Sequence, residues 1–138
     1  MRRKIFLPIC LALGAWISPA VAEVTGAAAN GFTIRHVVPI AADRAAVYAA
    51  AVGDIGKWWS GDHTVSGDAA NLTMTTTVPG CFCETLGEQG GLVHLTVSFV
   101  NPGTMIRLTG GLGPLGLMGV SGNMTWEFDA AESGTVVT

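Results

Sequence analysis

Residues 32–38, Phe32-Thr33-Ile34-Arg35-His36-Val37-Val38, mix β-branched and aromatic side chains with polar ones in imperfect alternation, which predicts a strand that Pro39 ends. The pattern then changes period. From Asp43 to Val52 the chain is dense in alanine, Val47, Tyr48 and Ala51 recur at helical spacing, and Asp43 is placed to cap the first turn, so a short helix stopping near Gly53 is expected. A further helical turn over residues 54–59 ends in the Trp58-Trp59 pair, before a turn-rich stretch from Ser60 to Asp68.

Beyond Leu72 the period is that of strands, expected at about 70–77, 81–86, 92–100, 104–110 and 120–128, with another beginning at 134. Glycine or proline marks each break between them, as in Val78-Pro79-Gly80, Gly87 to Gly91 and Asn101-Pro102-Gly103, so the economical arrangement is an antiparallel meander. Strict alternation puts Val93, Leu95, Val97 and Phe99 on one apolar face, opposite Leu92, His94, Thr96 and Ser98. The glycine-rich stretch from Gly110 to Gly119 lacks the Lys-Ser/Thr ending of a phosphate loop. Its Leu115 and Met118 read either as an apolar flap or as a plain connection.

The N-terminus has a different character. Met1-Arg2-Arg3-Lys4 runs into an uncharged apolar stretch from Ile5 to Ile17, followed by small residues at Ala20 and Ala22, the order of an export signal cleaved between Ala22 and Glu23. The stretch is too short for a membrane-spanning helix, so no stable membrane anchor is expected, and Cys10 leaves with the signal. Cleavage leaves 116 residues, enough for one domain: a short linker over 23–30 and a folded unit over 31–138. That mature chain has 4 basic and 10 acidic residues, a net charge of −6, which argues against nucleic acid as a partner. The expected location is periplasmic or secreted.

Several of these segments together resemble the SRPBCC superfamily, also called START-like or helix-grip. They are the helix entry from Ile40 to Tyr48, the Lys57-Trp58-Trp59 turn, Pro79-Gly80-Cys81-Phe82-Cys83-Glu84, Asn101-Pro102-Gly103 with Arg107-Leu108, the strand from Gly122 to Trp126, and Gly134-Thr135. The branch it looks closest to is the heat-shock-protein ATPase activator-like group. The resemblance implies an α+β fold in which a seven-stranded curved antiparallel sheet, with two short N-terminal helices, wraps a long C-terminal helix around a hydrophobic cavity. That long helix has no counterpart in the sequence, which is expected to be C-terminally incomplete.

Candidate chemistry is sparse. Cys81 and Cys83 point to one side of a strand, and in a flat strand their Cα atoms lie about 6.5–7 Å apart, at the limit of disulfide geometry, so two free thiols are expected. The alternative is a metal set of Cys81, Cys83 and His94, short of a fourth ligand and too closely spaced for an ordinary zinc site. His36, Glu84 and His94 are the candidate acid–base groups, against the plainer reading of hydrogen-bonded structural side chains. His63 beside Asp62 reads as a solvated loop residue, and no serine sits in a nucleophile elbow.

The leading functional expectation is non-enzymatic binding of a small hydrophobic or lipid-like molecule, with no cofactor, at Trp58, Trp59, Val93, Leu95, Val97, Phe99, Leu115 and Met118. Large aromatics are core residues by default, which is the alternative for the tryptophans. The competing function is an enzyme of the polyketide cyclase or aromatase kind, using His36, Glu84 or His94 as acid or base.

Overall fold

The computed structural model describes residues 20–138. The charged start, the apolar run and Cys10 lie outside the described residues. Strand β1 (Val21–Ala28) pairs with β2 (Gly31–Ile40), and helices α1 (Arg44–Gly53) and α2 (Ile55–Trp58) follow. One-turn 3-10 segments at Gly61–His63 and Ala69–Asn71 lead to β3 (Leu72–Met74), β4 (Gly80–Leu86), β5 (Gly90–Asn101) and β6 (Met105–Gly110). A helical turn, α3 (Pro114–Leu117), precedes β7 (Gly122–Ala131) and β8 (Gly134–Val137). The result is an α+β fold: a curved, unclosed antiparallel sheet of eight strands in the order β1-β2-β8-β7-β6-β5-β4-β3, with few helices.

The helix pair forms where the alanine-rich pattern put it. Asp43 caps α1 by accepting from the Ala46 amide at 3.0 Å, satisfying a first-turn donor. Val47 and Val52 of α1 and Ile55 of α2 are buried with Leu72, Phe82, Leu95, Val97, Ile106, Leu108 and Phe128, so the core lies between the helices and the inner face of the sheet. Tyr48 sets its ring edge-on to Phe128 at 5.1 Å. Its hydroxyl is buried without a well-formed hydrogen bond among the described residues, and burial raises its pKa, with the nearby Gly103 backbone drawing it partly down. Thr135 of β8 donates its hydroxyl to the Ala42 carbonyl at 2.8 Å, tying the last strand to the entry of α1. Gly134, at φ 141°, must be glycine because a Cβ there would meet the carbonyl of Ile40.

Residues 110–119, read as an apolar flap or a plain connection, carry a helical turn, with Gly113 at φ 57° just before it. Two expectations are corrected. Residues 23–30, read as a linker, fall mostly within β1, which gives the sheet an eighth strand. The second concerns the face of β5. Its ladder shifts register against β4 between Phe82 and Cys83, with His94 as the extra residue, and against β6 between Val97 and Phe99, with Ser98 extra. Each bulge reverses which side chains face inward. His94, Leu95 and Val97 are therefore buried, while Val93 and Phe99 stand 57% and 43% exposed on the outer face.

Candidate functional site

The most highly organised polar feature is a buried pair, Glu84 of β4 and His94 at the bulge of β5. Glu84 faces inward because it alternates with Phe82 on a strand whose inner side is core, and His94 reaches the same side only because of the bulge. His94 Nε2 lies 2.7 Å from a Glu84 carboxylate oxygen. The same oxygen accepts the Val65 amide at 3.0 Å, and the other accepts the Ser66 amide. Burial pushes the Glu84 carboxyl up, but the Ser66 side chain, the Val65 and Ser66 amides and His94 outweigh it and hold its pKa at about 2. An ionised carboxylate only accepts, so this partner assigns the proton of His94 to Nε2. Chemically the arrangement is a clamp: it fastens the turn-rich loop at Val65–Ser66 to the sheet, and so low a pKa makes Glu84 a weak base near neutrality.

Beside the clamp, aromatic rings cross the inner face. Trp126 of β7 lies 5.9 Å from Trp58, Trp58 lies 5.5 Å from Trp59, Trp59 lies 5.1 Å from Phe82, and Phe82 lies 5.1 Å from His94, all between ring centroids. The indoles are held by backbone: Trp58 Nε1 donates to the Ala51 carbonyl at 3.2 Å and Trp59 Nε1 to the His63 carbonyl at 3.3 Å. Trp59, Trp126, Met124 and Leu112 are half-buried against the core, and Trp58 remains 48% exposed. The inner face thus carries an apolar surface that α1 and α2 do not fully cover.

The candidate ligand-contacting residues separate accordingly. Trp58 and Trp59 belong to this surface, and Leu95 and Val97 lie in the core beneath it. Val93 and Phe99 do not share that face, as the two bulges require; Phe99 instead sits under Arg107, whose guanidinium carbon is 5.8 Å from its ring centroid. Leu115 is half-buried within α3 and Met118 is 72% exposed just after it. Trp126, which the sequence offers with Trp58 and Trp59 as a pocket-lining or core tryptophan, joins this surface, as does Leu112 of the glycine-rich stretch. Met124 was missed; the signal available for it was its i, i+2 spacing with Trp126 and Phe128 on one strand face.

His36 is exposed on β2, opposite Ala22. His63 is exposed in its 3-10 turn. Cys81 and Cys83 are joined by a disulfide, a correction to the expected free thiols. Their Cα atoms lie 5.4 Å apart, within the ordinary range for a disulfide and closer than in a flat strand. Bonded sulfurs are not thiolate ligands, and His94 points inward to Glu84 while the cysteines lie on the opposite side of β4, so the Cys81, Cys83 and His94 metal set is not assembled. Among the described residues no group of three or more His, Cys, Asp or Glu stands together as a metal site.

Two shallow depressions of about 450 and 370 Å³ lie elsewhere, one between Ala41–Arg44 and residues 130–134, the other around Phe99, Met105 and Asp129. Neither carries an acid–base pair near a nucleophile. Among the described residues no helix is long and apolar enough to cross a membrane. No family model, no curated protein and no solved structure matches this chain.

Proposed function

We propose that the chain is an exported binder of a small hydrophobic molecule such as a fatty acid, built on a helix-grip (START-like) plan, with its site on the inner face at Trp58, Trp59, Trp126, Met124 and Leu112. The observation that carries this reading is the file of aromatic rings across an incompletely covered apolar face, which includes half-exposed Trp58, its ring held by a backbone hydrogen bond. Concave apolar surface with few polar groups suits a hydrophobic ligand and offers little for bond-making. Leu95 and Val97 form the floor, and Leu115 and Met118 sit on the segment that Leu112 roots against the core. The succession β2-β8-β7-β6-β5-β4-β3, with α1 and α2 between β2 and β3, supports the helix-grip plan. A disulfide is at home in an oxidising compartment, which supports export.

The test is titration of the protein with laurate while tryptophan emission is recorded. A saturable change, lost in Trp58→Ala and weakened in Met118→Asp with the fold intact, supports the proposal; a flat or non-saturable response overturns it. One observation favours the enzyme alternative, the direct buried contact of Glu84 and His94. That reading requires turnover of a substrate that disappears in His94→Ala while the fold survives.

A further inference from the structure

The Cys81–Cys83 disulfide does little to hold this fold together. A disulfide stabilises mainly by restricting the unfolded chain, and the effect shrinks with the loop it closes; here the cysteines are only two residues apart. Both belong to one strand, and that strand is already fixed on each side: Cys83 pairs with Thr73 of β3 and Val93 of β5, and Cys81 pairs with Thr96 of β5. Phe82 and Glu84, on the inner side of β4, anchor it to the core from the opposite face. Breaking the S–S bond therefore disconnects no two elements.

The same alternation that buries Phe82 and Glu84 turns both cysteines outward. They are half-buried on the outer face, among the uncharged side chains of Thr73, Thr75, Val93 and Thr96, of which Val93 is 57% exposed. The two sulfurs are not equivalent. The Thr75 hydroxyl accepts the Cys81 amide at 2.8 Å, donates to the Cys81 carbonyl at 3.1 Å and lies 4.0 Å from Cys81 Sγ, towards which the same proton can turn when a thiolate forms there. Nothing comparable stands beside Cys83 Sγ among the described hydrogen bonds. A better-stabilised thiolate is the better leaving group in exchange.

We propose that Cys81 and Cys83 form a redox-active site that exchanges its disulfide with an accessible dithiol, two cysteine thiols of a peptide or protein close enough to join. One substrate thiolate attacks Cys83 Sγ; the Cys81–Cys83 bond breaks, its electron pair leaves on Cys81 Sγ, and the Thr75 hydroxyl donates to the thiolate formed. The second substrate thiolate then attacks the substrate sulfur of the mixed disulfide and releases Cys83. The substrate is oxidised by two electrons to a disulfide, Cys81–Cys83 is reduced to two thiols, and the two substrate protons end on the two cysteines. Thr75 acts through Cys81 and is a positioning residue.

The experiment incubates the folded, oxidised protein with a reduced synthetic peptide carrying two cysteines separated by two residues, and follows both by mass. The expected result is one peptide disulfide formed for each pair of protein thiols gained, with the far-ultraviolet circular dichroism unchanged. With a reduced peptide carrying a single cysteine, which cannot release the second thiol, the mixed disulfide should accumulate on Cys83 and not on Cys81, as mapped by digestion under acid and mass analysis. Thr75→Val should slow exchange and Thr75→Ser should restore it, a pattern that a purely structural role would not give. Protein thiols that appear only after denaturant is added, or reduction that unfolds the sheet, would overturn the proposal. A mixed disulfide mapped to Cys81, or equally to both, would overturn the assignment of Cys83 as the attacked sulfur.

Discussion

The hairpins β1–β2 and β4–β5 are built alike and used differently. Both are long antiparallel ribbons with one register shift, at Val24/Gly26 in the first and at Phe82/Cys83 in the second. In the first, every residue of β1 and the first six of β2 are exposed, Phe32 and Ile34 at 61% and 50%, and β2 meets β8 only through Val38–Ile40. In the second, the shift turns His94 inward beside Glu84 and sets Leu95 and Val97 into the core. Strand propensity forms both ribbons; burial on one side makes only the second a structural centre. A bulge in an exposed ribbon changes little, whereas a bulge over a core decides which side chains meet.

That contrast is broken most sharply by truncating one aromatic from each hairpin. Phe82→Ala removes a ring that is 1% exposed and touches Trp59 and His94, and should cost about 4 kcal/mol in urea unfolding. Phe32→Ala should stay within about 0.5 kcal/mol. Equal losses would mean that the ribbon is as tightly packed as the centre.

Next in size is the clamp. Glu84→Ala leaves His94 and the Val65 and Ser66 amides without their buried acceptor and should cost about 3 kcal/mol. Hydrogen exchange should quicken at the Val65 and Ser66 amides before the rest of the sheet. The same group sets an acid dependence. Its folded pKa of about 2 lies below the ordinary 4.5, so its stabilisation is complete above the unfolded value and is lost as pH falls from about 4.5 towards 2. Thermal melts of the wild type should drop across that window, and those of Glu84→Gln should drop less.

Smaller effects sharpen the account at the helix pair. Asp43→Ala removes the cap on the Ala46 amide and should cost about 1 kcal/mol. Tyr48→Phe deletes a buried hydroxyl without a well-formed hydrogen bond among the described residues and should raise stability by up to about 1 kcal/mol.

Much of the element order was legible because it is locally encoded. The Asp43 cap and the alanine run mark α1 to within a residue, and glycine or proline breaks bracket β4, β5 and β6 closely. What local pattern does not carry is register. Reading β5 as a regular strand put Val93, Leu95, Val97 and Phe99 together and set His94 across from Cys83, whereas the bulges pair Cys83 with Val93 and turn His94 to Glu84. The disulfide escaped because a flat strand keeps Cys81 and Cys83 at the limit of bonding distance, whereas their Cα atoms here lie 5.4 Å apart. Val65 and Ser66, which complete the clamp, lie 19 and 18 residues from Glu84, and no spacing rule links them. Strand β1 was missed because three alanines, a glutamate and a glycine among its eight residues dilute the strand signal of Val21, Val24 and Thr25.

The most direct measurement of the binding face is nuclear magnetic resonance of the protein titrated with laurate, following the indole N–H signals of Trp58, Trp59 and Trp126 and the methyl of Met124. Saturable shifts confined to these residues and Leu112, with Val93, Phe99 and the β1–β2 ribbon unmoved, are the predicted result. Shifts that gather on Phe32 and Ile34, or on the outer face at Val93 and Phe99, or no saturable shift at all, would contradict it.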